Sequence, residues 1–348
     1  MHDCQTPRTG RVQTVIGLIA PEELGPTLMH EHLLLDVAPP RMRATRSADD
    51  PQVQACDCFK LNWGQLAHSD NYRLDQREVM ADELREMRAA GGRSLVELTV
   101  GGLEPDPAGL VELAEKSGVH IIMGCGHYVE EYQSADLAHR TPEEFAREMI
   151  EHITHGAWNT TVRAGIIGEI GCQSPWTERE QRVMRGALMA QAETGAAVNA
   201  HPGRSDTQPF ELTAFVRAAG APMERFIISH IERTLFELDD LLRLADTGCV
   251  LEFDLFGFES NYIPEPEVDL PNDARRTKLI KGLIDRGHVD QVVISHDICT
   301  KNRLCRYGGH GYQHIFANVV PMMLCRNFTQ AEIDQILVRN PARLLAFV

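Results

Sequence analysis

The run TLMHEHLLLD, residues 27–36, reads as a buried β-strand, yet it carries His30 and His32 two positions apart with Glu31 between them. Side chains at i and i+2 of a strand share a face, so both imidazoles point one way and the Glu31 carboxylate points the other. Seven more short apolar runs follow: SLVELTV (94–100), HIIMGCGHY (120–128), AGIIGEIG (164–171), AAVNAHPG (196–203), RFIISHIE (225–232), CVLEFDLFG (249–257) and QVVISHDI (291–298). Between them lie segments of helical period such as REVMADELREMRAAG, TPEEFAREMIEHITHG and TEREQRVMRGALMAQAETG. Several open on Thr or Asp with Glu close behind and close on Gly, as N-caps and C-terminal glycines require. TQAEIDQILVRNPARLLAFV, at the end of the chain, supplies an eighth helix.

Strands buried on both faces and joined by helices imply a parallel sheet, and eight such units predict a closed (β/α)8 TIM barrel. No GxGxxG turn follows the first strand, which argues against an open dinucleotide-binding sheet. Residues 1–348 are expected to form one barrel domain, with 1–26 as a short N-terminal β extension. Two connections exceed what a barrel needs, residues 37–75 after strand one and 257–273 after strand seven. Long ordered loops are commonly functional, and here they would roof the C-terminal face.

The composition is that of a globular chain, 43% hydrophobic and 24% charged. Its formal charge of −16 disfavours nucleic acid and anionic lipid, so a small-molecule partner is expected. No apolar run reaches the length that crosses a bilayer, and the opening residues lack the pattern of a signal peptide. Nine scattered cysteines without paired CxxC motifs fit free thiols in a reducing cytoplasm. Assembly into a homo-oligomer is left open.

Barrel enzymes keep their reactive groups at the C-terminal ends of the strands. The polar residues there are His30 and His32 on strand one, Glu169 on four, His201 on five, His230 on six and Asp297 on eight. A lone histidine in an apolar run is usually a hydrogen-bonded core residue. When five strands each end in a ligand type, burying them together is costly unless metal coordination offsets it. Six ligands are too many for one tetrahedral zinc and suit two divalent ions, zinc being expected, that share a carboxylate. Glu169 is the natural bridge, with His30, His32 and Asp297 on one ion and His201 and His230 on the other.

Lesser candidates surround this set. Tyr128 ends strand three, and Arg204 follows a ligand in HPGR; both could contact substrate. Lys301, with Arg303 and Arg306, lies after strand eight and could favour an anionic substrate. Glu31 and His296 face away from the site and are expected to support neighbouring elements. Glu252 and Asp254 are in phase on strand seven, facing either the barrel interior or its helices. Cys56 and Cys58 read as ordinary thiols, and GGHG (308–311) lacks the Lys-Ser/Thr continuation of a phosphate loop.

Together, HEH, AGIIGEIGC, AHPGRS, ISHIERT, LEFDLFG and SHDICTKNRL followed by YGGHGYQHI resemble the phosphotriesterase family of the amidohydrolase superfamily. The likeness is nearest to the phosphotriesterase-related, or resiniferatoxin-binding, branch. It implies a binuclear metal hydrolase in which His30, His32, Glu169 and Asp297 hold the buried ion, and Glu169, His201 and His230 the exposed one. The expected reaction is cleavage of an ester-type bond, whether carboxyl ester, lactone, N-acyl amide or phosphoester. A hydroxide between the ions would be the nucleophile and Asp297 the proton acceptor. A metal-containing protein that binds a small molecule without turnover is the alternative. The chain departs from organophosphate hydrolases and lactonases on strand four. They carry a carboxylated lysine after an AGII-like run; here Gly168 stands in that place and Glu169 follows, so a local adjustment of the strand is expected.

Overall fold

The computed structural model describes residues 8–260, 262–264 and 267–348. Its main sheet comprises β1 (Thr27–Glu31), β2 (Ser94–Glu97), β3 (His120–Cys125), β4 (Ile166–Gly171), β5 (Val198–His201), β6 (Phe226–Ile228), β7 (Val250–Phe253) and β8 (Val292–Ile294). They run parallel, each paired with its sequence neighbour from β1 to β8. Helices α1 (Arg77–Ala89), α2 (Pro107–Ser117), α3 (Pro142–Thr154), α4 (Glu178–Thr194), α5 (Gln208–Ala218), α6 (Leu238–Ala245) and α7 (Asp273–Ile284) fill the crossovers. The fold is a TIM barrel.

Local chemistry sets the helix ends. Thr141 and Thr177 accept hydrogen bonds from the third amides of α3 and α4, and Glu144 and Glu180 reach back to complete capping boxes. Gly118 and Gly195 end α2 and α4 with left-handed φ values of 68° and 72°. After β8 the chain forms two helical stretches, Ile315–Cys325 and Gln330–Leu345, each with a π-turn inside it. Only the second matches the helix expected at the end of the chain. Pro321 reads as a breaker in the first, but it stands in the opening turn of the segment after the π-turn, where a missing N–H matters little.

The bottom of the barrel is a dry plug. Met29, Val96, Ile122, Ile166, Ile227, Val250 and Val293 from seven strands, with Ala197 just before β5, are almost fully buried against Leu344 and Leu345. Above them the interior turns polar. The strands are shorter than the apolar runs that announced them. The run 27–36 yields a strand only to Glu31, and Leu35–Asp36 pairs instead with Arg73–Leu74 in the long loop. The N-terminal extension forms a small hairpin, Val12–Gln13 with Leu18–Ile19.

Two irregularities shape the upper end. At the seam, no registered ladder joins β8 to β1 among the described residues, although the Asp297 amide donates to His30 O at 3.2 Å. The Glu31 carboxylate does the joining, accepting from Ser295 Oγ at 2.7 Å, the His296 amide at 2.9 Å and the Ile298 amide at 3.1 Å. On β4, Ile167 pairs with Val198 and Ile170 with Ala200, so Gly168 and Glu169 together face Asn199. Gly168 has a φ of +123°, and a Cβ there would stand 2.3 Å from Asn199 O, so only glycine fits. This bulge is the adjustment that a glutamate one position late requires, because a bulge re-aims the following side chain.

Candidate metal centre

The six strand-end residues converge at the upper end of the barrel. His32 Nε2 lies 3.3 Å from Asp297 Oδ1 and 3.8 Å from Glu169 Oε2, and His30 Nε2 lies 3.7 Å from each of those oxygens. Ligands at about 2.0 Å around a tetrahedral zinc stand roughly 3.3 Å apart, so this set needs only slight contraction. His30 Nε2 is buried with no hydrogen-bond partner among the described residues. Buried ring nitrogens are rarely left so, and a cation would satisfy it.

The other carboxylate oxygen of Glu169 serves a second set. Oε1 contacts His201 Nδ1 and lies 3.0 Å from His230 Nε2, and the two ring nitrogens are 3.0 Å apart. One carboxylate thus offers one oxygen to each set. His230 and Asp297 sit beyond the ends of β6 and β8 in left-handed conformation, each with φ 52°. Non-glycine residues persist there only where their surroundings enforce it, which is common at working sites.

Behind the ligands stand acceptors that orient the rings. Thr99 Oγ1 lies 3.0 Å from His32 Nδ1 and itself contacts the buried Glu97. Asp254 Oδ1 accepts from the His230 amide at 2.9 Å and lies 2.8 Å from His230 Nδ1. Its Oδ2 is 2.9 Å from His30 Nδ1, an ion-pair contact without hydrogen-bond alignment. Glu252 Oε2 accepts from Asn199 Nδ2 at 2.7 Å and Ser229 Oγ at 2.8 Å, and lies 3.4 Å from His30 Nδ1. Both strand-seven carboxylates therefore face the interior, a question that sequence periodicity left open. With each Nδ1 engaged, the Nε2 atoms of His30, His32 and His230 turn toward the ion positions.

Electrostatics matches a cation site. Burial alone would raise the Glu169 carboxyl, but His201 and His30 outweigh it and hold the group well below the usual carboxylate range. Burial would lower His30 and His230, yet Glu169 and Asp254 carry the first well above its ordinary value and Asp254 the second to about 9. Burial brings His201 down to about 4. Carboxylates here hold protons on neighbouring imidazoles, and a divalent ion would displace those protons.

The remaining candidates divide. Tyr128 packs edge-on against His201 with its hydroxyl 3.5 Å from Nε2. Arg204 stands exposed at the rim, within electrostatic range of Arg233 and Tyr128. Arg233 was not anticipated; its guanidinium is 3.0 Å from His201 Nε2 and donates to Pro202 O at 2.9 Å. Its position in the 3₁₀ turn directly after His230 was the available signal. The expectation that Lys301 meets an anionic substrate gives way to an ion pair, because its Nζ is 2.6 Å from Asp70 in the loop after β1. His296 is engaged on both sides, by Glu31 at 2.7 Å and by the Ile315 amide at 3.1 Å. Cys58 Sγ lies 3.4 Å from the carbonyls of Asn302 and Gly308, and every cysteine among the described residues is free.

The model of the phosphotriesterase family matches residues 10–345. N-acetyltaurine hydrolase of Bos taurus is 40% identical over 345 residues, covering 97% of this chain and 99% of the relative. A resiniferatoxin-binding protein from Rhodobacter sphaeroides superimposes with a TM-score of 0.90 at 31% identity, over 97% of this chain and 95% of that one. The phosphotriesterase homology protein of Escherichia coli, solved with phosphate in its active site, gives a TM-score of 0.77 at 26% identity, over 93% and 99%. Members of this family are typically hydrolases with two metal ions, and His30 stands in three groups whose donor atoms are close enough to be candidates for holding an ion, with Glu169 and His230, with His32 and Asp297, and with Glu252 and Asp254. The barrel, the paired ligand sets and these full-length relatives show that the chain belongs to the phosphotriesterase family of hydrolases.

Proposed function

We propose that this chain hydrolyses N-acyl amides of small anionic amines, N-acetyltaurine foremost, with two divalent ions, zinc by preference, at the strand ends. The observation that carries the binuclear reading is Glu169, whose two oxygens are divided between two ligand sets. The amide preference rests on the relatives covered along their whole length. His30, His32 and Asp297 would hold one ion, His201 and His230 the other, and Glu169 both. Ions so held supply Lewis-acid polarisation of a carbonyl and acidify water toward a pKa of about 7.

The rest is done by side chains of the chain itself. An amide releases an amine, a poor leaving group unless its nitrogen is protonated, so a proton carrier must stand beside the scissile bond. Asp297 fits that duty. Its Oδ1 faces His32, its Oδ2 lies 3.7 Å from His230 Nδ1, and 14% of the side chain remains open toward the mouth. It accepts a proton from the attacking water and returns it to the nitrogen. Tyr128 and Arg204 line the exposed side, where they orient the substrate. Glu97, Thr99, Glu252 and Asp254 keep the rings from rotating.

Metal analysis joined to a taurine-release assay tests this. About two ions per chain and turnover of N-acetyltaurine are expected. A metal-loaded protein that returns the amide intact after long incubation would transfer support to the binding-protein reading, which the resiniferatoxin-binding neighbour favours.

A further inference from the structure

Arg233 ends the 3₁₀ turn Ile231–Arg233 that follows the ligand His230, and only 8% of it is exposed. Its Nη2 donates to Pro202 O at 2.9 Å and stands 3.0 Å from Nε2 of the ligand His201. The Tyr128 hydroxyl lies 3.5 Å from that same ring nitrogen. Arg276 and Lys301, also buried, are answered by carboxylates, Glu232 at 3.2 Å and Asp273 at 2.9 Å for the first and Asp70 at 2.6 Å for the second. Arg233 instead spends Nη2 on two neutral acceptors, a carbonyl and a ring nitrogen, and its buried Nε–H has no hydrogen-bond partner. Arg204 is within electrostatic range, so two positive charges share the side on which His201 is open.

A guanidinium can only donate. Facing it, His201 Nε2 is the acceptor, and the proton of the ring is on Nδ1, the nitrogen that contacts Glu169 Oε1. Nδ1 also faces the exposed ion position, 3.0 Å from His230 Nε2. An imidazole that gives Nδ1 to an ion keeps its proton on Nε2. Two donors would then oppose each other across the 3.0 Å between His201 and Arg233. Filling the exposed position thus costs Arg233 its ring contact. The guanidinium keeps Pro202 O, and a buried fork of N–H groups is left for an acceptor from solution.

Resting on the amide reading above, we propose that Arg233 binds the anionic end of the substrate and is released for that duty when the exposed ion is in place. A sulfonate or carboxylate sets paired oxygens on the guanidinium fork, which gives direction as well as attraction. Tyr128 stands beside the same end, and the amide lies across His201 toward Asp297. Ion and anion strengthen each other by one common factor, because a coupling free energy is reciprocal. The cations of the mouth thereby differ in role: Lys301 braces a loop, and Arg233 recognises charge.

Calorimetry with ethanesulfonate and propionate on the full chain reads anion binding without chemistry. The zinc-loaded wild type is expected to bind one of them at least about tenfold more tightly than the metal-free chain, and the tighter of the two tells sulfonate from carboxylate preference. R233M is expected to abolish that gain. Binding that needs zinc but survives R233M would put the anion on the ions themselves and overturn the anchor. Arg233→Lys keeps a charge without the fork and is expected to bind at intermediate strength; wild-type strength in either folded variant also overturns it. In chelator competition R233M is expected to hold the looser zinc about tenfold more tightly, since the opposing donor is gone. Unchanged or weaker retention would mean that Arg233 only braces His201. With substrates, R233M is expected to lower kcat/KM for N-acetyltaurine and N-acetyl-β-alanine about 100-fold, mainly through KM, and to change the neutral methyl sulfone analogue by less than about threefold. Equal losses on all three would remove the specificity role. If no amide is cleaved, zinc-dependent anion binding that R233M abolishes upholds the anchor while the amide reading falls; no anion binding by the loaded wild type removes the anchor whatever is cleaved.

Discussion

The two β1 histidines of the centre are sealed, with the His30 and His32 side chains 0% and 3% exposed, whereas His201 on β5 leaves 13% of its side chain open and Asp297 after β8 leaves 14%. Each histidine of the sealed half has a buried acceptor behind it: Thr99 and Glu97 for His32, Ser229, Glu252 and Asp254 for His30. On the open half, His201 turns its outer nitrogen toward Arg233 and Tyr128, groups that face the mouth. Glu169, Asp254 and Asp297 each touch both halves.

If Glu169 is what joins them, Glu169→Ala should cost the most. Turnover is expected to fall by at least about 1,000-fold, with both ions lost together. Metal analysis that still finds one tightly bound ion would mean that the sealed half stands alone. Asp297→Asn comes next, because it keeps the shape of the sealed half but removes the proton carrier. A drop in kcat of about 10²- to 10⁴-fold is expected, with little change in KM. Supporting residues should have smaller effects. Asp254→Asn is expected to weaken retention of both ions by about 10- to 100-fold in chelator competition, and Thr99→Val to weaken only the sealed one, by about tenfold. If Thr99→Val loosened both ions equally, the contrast between the halves would be lost.

The smallest effect belongs to a control outside both halves. On α3, burial would raise the Glu148 carboxyl, but His127 at 2.7 Å and Arg140 at 3.1 Å bring it from an ordinary 4.5 down to about 2. A depressed folded pKa contributes stability that is present above the unfolded value and lost as pH falls toward the folded one. Glu148→Gln is therefore expected to flatten the decline of Tm between about pH 4.5 and 2 while neutral-pH turnover is unchanged. A change in turnover would show that the outer helices reach the centre.

Periodicity carried the barrel well, since eight apolar runs alternating with capped helices leave few arrangements that bury both. It also picked out His30, His32, His201 and His230, which interrupt an apolar pattern at the strand ends and whose side chains the fold brings together. Where a residue acts through partners distant in sequence, the pattern was mute. Asp254 and Glu252 show the same two-residue spacing as HEH, but nothing local says whether a strand face looks into the barrel or onto its helices. The bulge at Gly168–Glu169 depends on the register of β4 against Asn199. Lys301 shows the opposite error: its charge looked available until Asp70 arrived from a loop 231 positions earlier.

Glu31, the residue between the two histidines, takes its donors from positions 264 to 267 residues downstream. During synthesis the first two metal ligands emerge near the beginning of the chain, and the segment that fastens their strand emerges near the end. A polypeptide stopped before β8 would already contain five of the six ligands, yet its first strand would have nothing to clasp. The residue between the two histidines therefore ties the first strand of the barrel to the last.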